Sequence, residues 1–158
     1  YATVTGMDWY ASTTFRDVRL TFLPAQHWSQ RGRWDSRKAL WGGWLLEYGG
    51  RKVFFAGDTG YSAHFSDLRK HFGDIDVALL PIVSYRPLGY RRNHLSPELA
   101  LRAAADLGAK VLVPWGQGTF ILGHEHILEP IRRLRHAVAE AKPTFHVQEM
   151  KMGETREF

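Results

Sequence analysis

The run Val77-Ala78-Leu79-Leu80-Pro81-Ile82 carries neither charge nor alternation, and so reads as a strand buried on both faces. Helix patterns bracket it. Upstream, residues 62–72 set Leu68 and Phe72 four apart on one face. Downstream, Ser96-Pro97-Glu98 reads as N-cap, first helical residue and acidic first turn, and the helix over 97–107 stops at Gly108, a natural C-cap. A strand over 110–114, a helix over 127–141 and a strand over 144–151 continue the alternation. A β-α-β-α-β order implies parallel neighbours joined by right-handed crossovers, so the fold class is α/β. The first third differs. It offers strands over 18–23, 39–48 and 52–56, the last two joined by Gly49-Gly50 as a two-residue hairpin turn. No repeat, low-complexity tract or linker interrupts the chain, and 1–158 reads as a single unit.

Composition narrows the chemistry. A 44% hydrophobic and 23% charged chain of 158 residues is a folded one, not a disordered one. No apolar run is long enough to span a bilayer, and the visible start carries no signal-peptide pattern. The expected location is cytoplasmic, with peripheral membrane association as the alternative. Without cysteine there is neither a disulfide framework nor a thiolate zinc site, so any metal is held by imidazole and carboxylate, which suits zinc, iron or manganese. The net charge of +5 is dispersed over three clusters. Arg31, Arg33, Arg37 and Lys38 surround Trp34; Arg86, Arg91 and Arg92 form a second group; Arg132, Arg133 and Arg135 fall on the 127–141 helix, where a solvated face is expected. The first two lie in loops that suit attraction of phosphate-bearing substrates. Nucleic acid is disfavoured, because no recognition helix or aromatic stacking motif accompanies the basic loops.

Three residues are candidates for chemistry. The segment Phe54-Phe55-Ala56-Gly57-Asp58-Thr59-Gly60-Tyr61 ends an apolar strand in a carboxylate between glycines, which permits a tight turn and close approach of a ligand. Asp58 so placed suits bridging two cations or orienting a nucleophile; the alternative is a turn aspartate satisfying local backbone N–H groups. His27 sits just past a strand in which Val18, Leu20 and Phe22 alternate with polar residues. It can present one ring nitrogen to a metal while the other is held by an acceptor, or simply pack beside Trp28. His94 lies in the loop feeding the Ser96-capped helix, as a functional side chain or as a surface or cap-packing one.

Taken in order, Pro24-Ala25-Gln26-His27-Trp28, Leu40-Trp41-Gly42-Gly43-Trp44, Phe54 to Tyr61, His94 with Pro97-Glu98, Gly118-Thr119-Phe120 and Glu125-His126-Ile127-Leu128-Glu129-Pro130 resemble the C-terminal half of a metallo-β-lactamase-fold hydrolase. The branch is the one that includes N-acylphosphatidylethanolamine-hydrolysing phospholipase D and its bacterial relatives. The similarity runs from Met7-Asp8-Trp9 to Gly153-Glu154-Thr155-Arg156. It implies one half of an αββα sandwich, a mixed β-sheet with flanking helices, and a two-metal site, commonly zinc, in the complete domain. It makes Asp58 the carboxylate bridging two metals, His27 a ligand of the second metal, and His94 a general acid or transition-state stabiliser beside the scissile group. The implied reaction is metal-dependent hydrolysis of a phosphodiester, or of a related ester or lactone, in a phosphate-bearing small molecule or lipid.

The chain also departs from that pattern. The family's His-x-His-x-Asp-His signature does not occur, and the chain opens at Tyr1, as a processed or truncated product would. With Gly118-Thr119-Phe120 setting the register, Gly116 stands where a further histidine ligand is expected. Two repairs are open: His124 or His126 reaches back into the site, or the glycine leaves an open coordination position. Half a sandwich exposes an apolar sheet face, to which Trp41 and Trp44 contribute, with a bulge at Gly42-Gly43 able to alter which way they face. The expected cover is the missing N-terminal half or a second copy in a homodimer. By itself the chain is expected to be inactive or very weak. A non-catalytic interaction or assembly module that retains the hydrolase fold is the alternative.

Overall fold

The computed structural model describes residues 3–158. Its seven strands form one mixed sheet in sequence order, β1 (Ser12–Phe15), β2 (Val18–Pro24), β3 (Gly42–Tyr48), β4 (Arg51–Phe55), β5 (Val77–Pro81), β6 (Val111–Trp115) and β7 (His146–Val147). The pairs from β1 to β4 are antiparallel, and those from β4 to β7 parallel. The helices α1 (His64–Phe72), α2 (Pro97–Asp106) and α3 (Glu129–Ala141) are the crossovers of the parallel part. Right-handed crossovers that always step in one direction leave all helices on one face of the sheet.

That face is the core. Leu23, Leu45, Phe54, Ala78, Leu80 and Leu112 alternate along their strands onto it and pack with Phe65 and Leu68 of α1, Ala100 and Ala103 of α2, and Ile131 and Leu134 of α3. The residues between them project from the opposite face. There the register lines up Phe22, Trp44, Phe55, Leu79 and Val113 in one cross-strand row, and Leu20, Leu46, Val53, Val77 and Val111 in the next. Most of these side chains are only half-buried. Phe22 and Trp44 touch at 5.0 Å and Phe55 and Trp115 at 5.1 Å between ring centroids. The expected apolar face is therefore present as two continuous stripes.

Several expected boundaries change. The strand over 39–48 begins at Gly42, since Leu40 and Trp41 lie outside the ladder; Trp41 instead takes Trp9 edge-on and donates its Nε1–H to the Ala25 carbonyl. Gly42 and Gly43 keep regular register opposite Pro24 and Leu23, so no bulge reorients the tryptophans. The strand over 144–151 shrinks to His146–Val147 at the sheet edge. β1 has no counterpart in the expectations, because Ser-Thr-Thr-Phe is exposed throughout and shows no apolar alternation. The Gly49-Gly50 turn stands, both residues having positive φ as a two-residue hairpin demands. On α3, Arg133 and Arg135 are not a bare solvated face: Arg133 grips Glu98 of α2 with two hydrogen bonds, and Arg135 does the same with Glu149.

The two edges of the parallel sheet differ in chemistry. At the N-terminal edge, Asp76 accepts from the Lys52 backbone N–H at 2.8 Å and from Lys110 Nζ at 2.7 Å, tying the starts of β4, β5 and β6. The Lys110 hydrogen bond in particular holds the Asp76 carboxyl below its ordinary range. At the first residue of α1 the logic reverses. His64 is largely buried against Phe65, and its Nε2 has no partner. Desolvation pushes its pKa down to about 4 from an ordinary 6.5. Because the folded value is the lower one, the neutral ring's contribution is complete above pH 6.5 and is lost as pH falls toward 4. The loss expected by pH 5 is about 2 kcal/mol. Urea unfolding of the chain and of His64→Gln between pH 7 and 5 checks it: the variant should lack that part of the slope, and parallel pH profiles would remove the assignment.

Candidate metal centre

Strand direction gathers the candidates. β2 and β4 both run antiparallel to β3 and so point the same way, and β5 and β6 are parallel to β4. The C-terminal ends of β2, β4, β5 and β6 therefore open at one edge of the sheet. His27 lies three residues past β2, Asp58 three past β4, and His94 in the connection from β5 to α2. Open α/β sheets bind ligands at this edge, where crossovers leave a crevice.

Main-chain contacts stitch the three loops together. The Gly60 N–H donates to the Gln26 carbonyl at 2.9 Å, and the Gln26 N–H donates to Thr59 Oγ1 at 3.0 Å. Gln26 Nε2 reaches across to the Arg92 carbonyl at 2.6 Å. Gly60 packs so tightly on that carbonyl that a Cβ there would stand 2.1 Å from it. Thr59 and Gly60 are fully buried at the centre of the junction. The three candidate side chains, His27, Asp58 and His94, sit on the loops it joins.

One ligand atom from each of His27, Asp58 and His94 lies within 4.8 Å of the others. The span is close to twice a metal–ligand bond of about 2.0–2.2 Å. His27 and His94 meet edge to face at 5.0 Å, and Trp28 stacks flat on His27 at 4.3 Å. His27 Nδ1 sits 2.9 Å from the Trp28 carbonyl, which only accepts, so Nδ1 carries the proton and Nε2 keeps its lone pair. That Nε2 is buried without a hydrogen-bond partner. An imidazole oriented through one nitrogen and left bare at the other has the form of a metal ligand. The two imidazoles and one carboxylate fit a divalent cation of the zinc, iron or manganese type. Burial, the largest influence on His94, lowers its pKa; the nearby charges of Asp58 and Glu125 pull the other way.

The histidine repair of the Gly116 gap is not seen among the described residues. His124 and His126 are both exposed and stand outside the cluster, and His126 Nδ1 accepts instead from the Leu128 backbone N–H. The residue between them is the buried one. Glu125 is 5% exposed and accepts a hydrogen bond from the backbone N–H of Ser84, just past β5. The histidines on either side drew attention to metal chemistry, and nothing in local periodicity marks the glutamate as the one turned inward.

Basic residues rim the cluster. A cavity of about 750 Å³ holds His27 and Asp58 together with Arg31 and Lys38. A second, of about 450 Å³, places His27 beside Arg37 and Arg92. Both expected basic loops thus contribute residues to cavities that His27 lines. No helix among the described residues is long and apolar enough to cross a membrane.

Residues 1–116 match the family described as "Beta-lactamase superfamily domain". The chain is 35% identical over 144 residues to an uncharacterised protein of Mycobacterium tuberculosis, covering 89% of this chain and 37% of that protein. It is 32% identical over 162 residues to N-acyl-phosphatidylethanolamine-hydrolyzing phospholipase D 1 of Caenorhabditis elegans, covering 96% of this chain and 45% of the relative. The chain thus spans less than half the length of these two relatives. Among solved structures it superposes on a metallo hydrolase from Ignicoccus hospitalis with a TM-score of 0.73 and 25% identity, over 98% of this chain and 61% of that one. The mixed sheet, its helical layer and the matched residues make this chain a member of the beta-lactamase superfamily domain family, a superfamily of metallo-hydrolases.

Proposed function

We propose that this chain carries one side of the active site of a metal-dependent hydrolase acting on phosphodiester or related ester or lactone bonds. The observation that carries the reading is the convergence of His27, Asp58 and His94, with His27 Nε2 buried, unpaired and already fixed in the ligand tautomer. A divalent cation in this cluster supplies Lewis acidity and a nucleophile usable at neutral pH. Asp58 and His27 would hold the cation, zinc being the first candidate, and a second cation in the complete domain would share Asp58. His94 faces the reacting group from the third side, where a neutral imidazole offers one N–H donor and one lone pair. Arg31, Lys38, Arg37 and Arg92 draw an anionic, phosphate-bearing substrate to the cluster, small molecule or lipid headgroup alike.

Cover for the apolar face belongs to the same reading. The stripes through Trp44 and Phe55 match a second apolar sheet, supplied by the other half of a sandwich domain or by a second copy of this chain. The experiment loads metal-free chain with Zn²⁺, Mn²⁺ or Fe²⁺ and follows turnover of a phosphodiester, an ester and a lactone with and without chelator, with sedimentation on the same samples. About one cation per chain, slow chelator-sensitive turnover and concentration-dependent association are expected. A chain that takes up no cation, or turnover indifferent to chelator, would sink the proposal. The second reading, a non-catalytic assembly module, is favoured specifically by Gly116; stoichiometric association with no turnover of any substrate would select it.

A further inference from the structure

Two arginines of the second basic group, Arg86 and Arg91, have no part in the proposed chemistry. They meet His124 around a cavity of about 680 Å³, with Pro87, Leu88 and Gly89 completing its wall. None of His27, Asp58 and His94 lines it, and among the described residues no carboxylate does. Segments far apart in the chain build it. Arg86 and Arg91 belong to the connection from β5 to α2, and His124 to the one from β6 to α3. The His124 backbone N–H donates to the Arg86 carbonyl at 3.3 Å, which ties the two segments together.

Gathering like charges around one cavity is unfavourable unless an anion lies between them. Arg86 places Nη2 3.0 Å from Glu129 Oε1, an oxygen that also accepts from the Tyr85 hydroxyl at 3.1 Å. That contact fixes the Arg86 side chain and leaves most of its five N–H donors to other partners. Arg91 makes no side-chain hydrogen bond or ion pair among the described residues, and its Nε is buried without a partner. A guanidinium is always protonated, so that N–H is a permanently charged donor with no acceptor in the protein. Planar, forked donors of this kind match the oxygens of a phosphate group through paired N–H···O bonds. The His124 imidazole offers a further donor. Leu88, 70% exposed, gives the cavity an apolar lip on which carbon attached to the phosphate would rest. Arg91 stands three residues before His94, whose N–H donates to the Tyr90 carbonyl at 2.9 Å, so the cavity and the candidate metal cluster share one short turn of chain.

We propose that Arg86, Arg91 and His124 form an anion pocket that takes the phosphate group of a phosphate ester, separate from the His27–Asp58–His94 cluster and needing no cation. The proposal goes beyond the hydrolase reading and does not depend on it.

The test titrates chain held in chelator with phenyl phosphate, following heat, and with phosphatidylcholine vesicles with and without phosphatidic acid, following co-sedimentation. Wild type and Asp58→Asn should bind alike. Arg91→Gln should bind at least about tenfold more weakly, the effect of losing one hydrogen bond to a charged group. Arg91→Lys, which keeps the charge but not the fork, should recover only part of that loss. Arg132→Gln removes the same charge from an exposed position on α3 and should bind like wild type. Binding of phenyl phosphate that Arg91→Gln loses supports the pocket and assigns it to soluble esters. Binding confined to phosphatidic acid vesicles, again lost in Arg91→Gln, supports it and assigns it to a lipid headgroup. Equal weakening in Arg91→Gln and Arg132→Gln reports only the overall positive charge of the chain and overturns the proposal. Binding lost in Asp58→Asn overturns it too, as does the failure of wild type to bind either probe. A chain that takes up no cation would remove the proposed function and leave this pocket standing.

Discussion

Asp58→Asn is expected to abolish useful cation binding while leaving the fold intact. The asparagine keeps the size of the side chain and replaces a charged oxygen donor by a neutral amide, so the cluster of two imidazoles loses its only carboxylate. The loss should exceed the ~10–100-fold seen for residues one step further from a metal. Stability should move by no more than about 0.5 kcal/mol, as for an ordinary exposed site, because Asp58 is exposed and the bonds joining the three loops run through Gln26, Thr59, Gly60 and Arg92 instead. Isothermal titration with Zn²⁺ or Co²⁺ beside urea unfolding checks both halves. Retained affinity in Asp58→Asn would mean that the cation, if any, is held elsewhere. A large loss of stability would mean that Asp58 is a structural turn residue, the plainer of the two readings its sequence allows.

Gly60→Ala is expected to do the opposite, breaking the frame and the site together. The added methyl would stand 2.1 Å from the Arg92 carbonyl oxygen, 2.6 Å from its carbon and 3.0 Å from the Asn93 nitrogen. All three are backbone atoms, so relief requires moving the loop that carries His94. Overpacking of this kind costs about 1–3 kcal/mol, and a rigid backbone neighbour argues for the upper end. Gly60 does not have positive φ, so alanine is tolerated by the local backbone and the clash alone is read out. Gly89→Ala is the control, since nothing lies within 4 Å of a Cβ there. Cation affinity should fall at least about tenfold in Gly60→Ala, as expected when outer support of a ligand is lost. A Gly60→Ala chain as stable as Gly89→Ala would show that the three loops are not held by this junction.

The residues that could be read beforehand share a property: their signal is local. Asp58 was visible because an apolar strand, two glycines and one carboxylate fall within eight consecutive residues. The Ser96 cap was visible because an N-cap is a contact between neighbours, and Ser96 Oγ does accept from the Leu99 N–H. Gly49-Gly50 follows from the turn alone. What could not be read depends on partners distant in the chain. β1 is a strand only because β2 lies beside it, with Ser12 opposite Thr21. Arg133 looks like a solvated cation until α2 brings Glu98 to it, 35 residues away in sequence. Glu125, between two histidines of more obvious chemistry, is buried only because Ser84 waits 41 residues upstream.

By itself, the order of residues determined the alternation of strand and helix, the parallel half of the sheet and the three side chains capable of metal chemistry, since each is written in short-range pattern. Only the tertiary structure decided that those three loops open at a common edge, that one sheet face carries two uncovered apolar stripes, and that a glutamate turns inward where two histidines turn out. The physical reason is that strand direction, cross-strand register and the burial of a charge are set by contacts between segments tens of residues apart. Periodicity within any one segment cannot encode them.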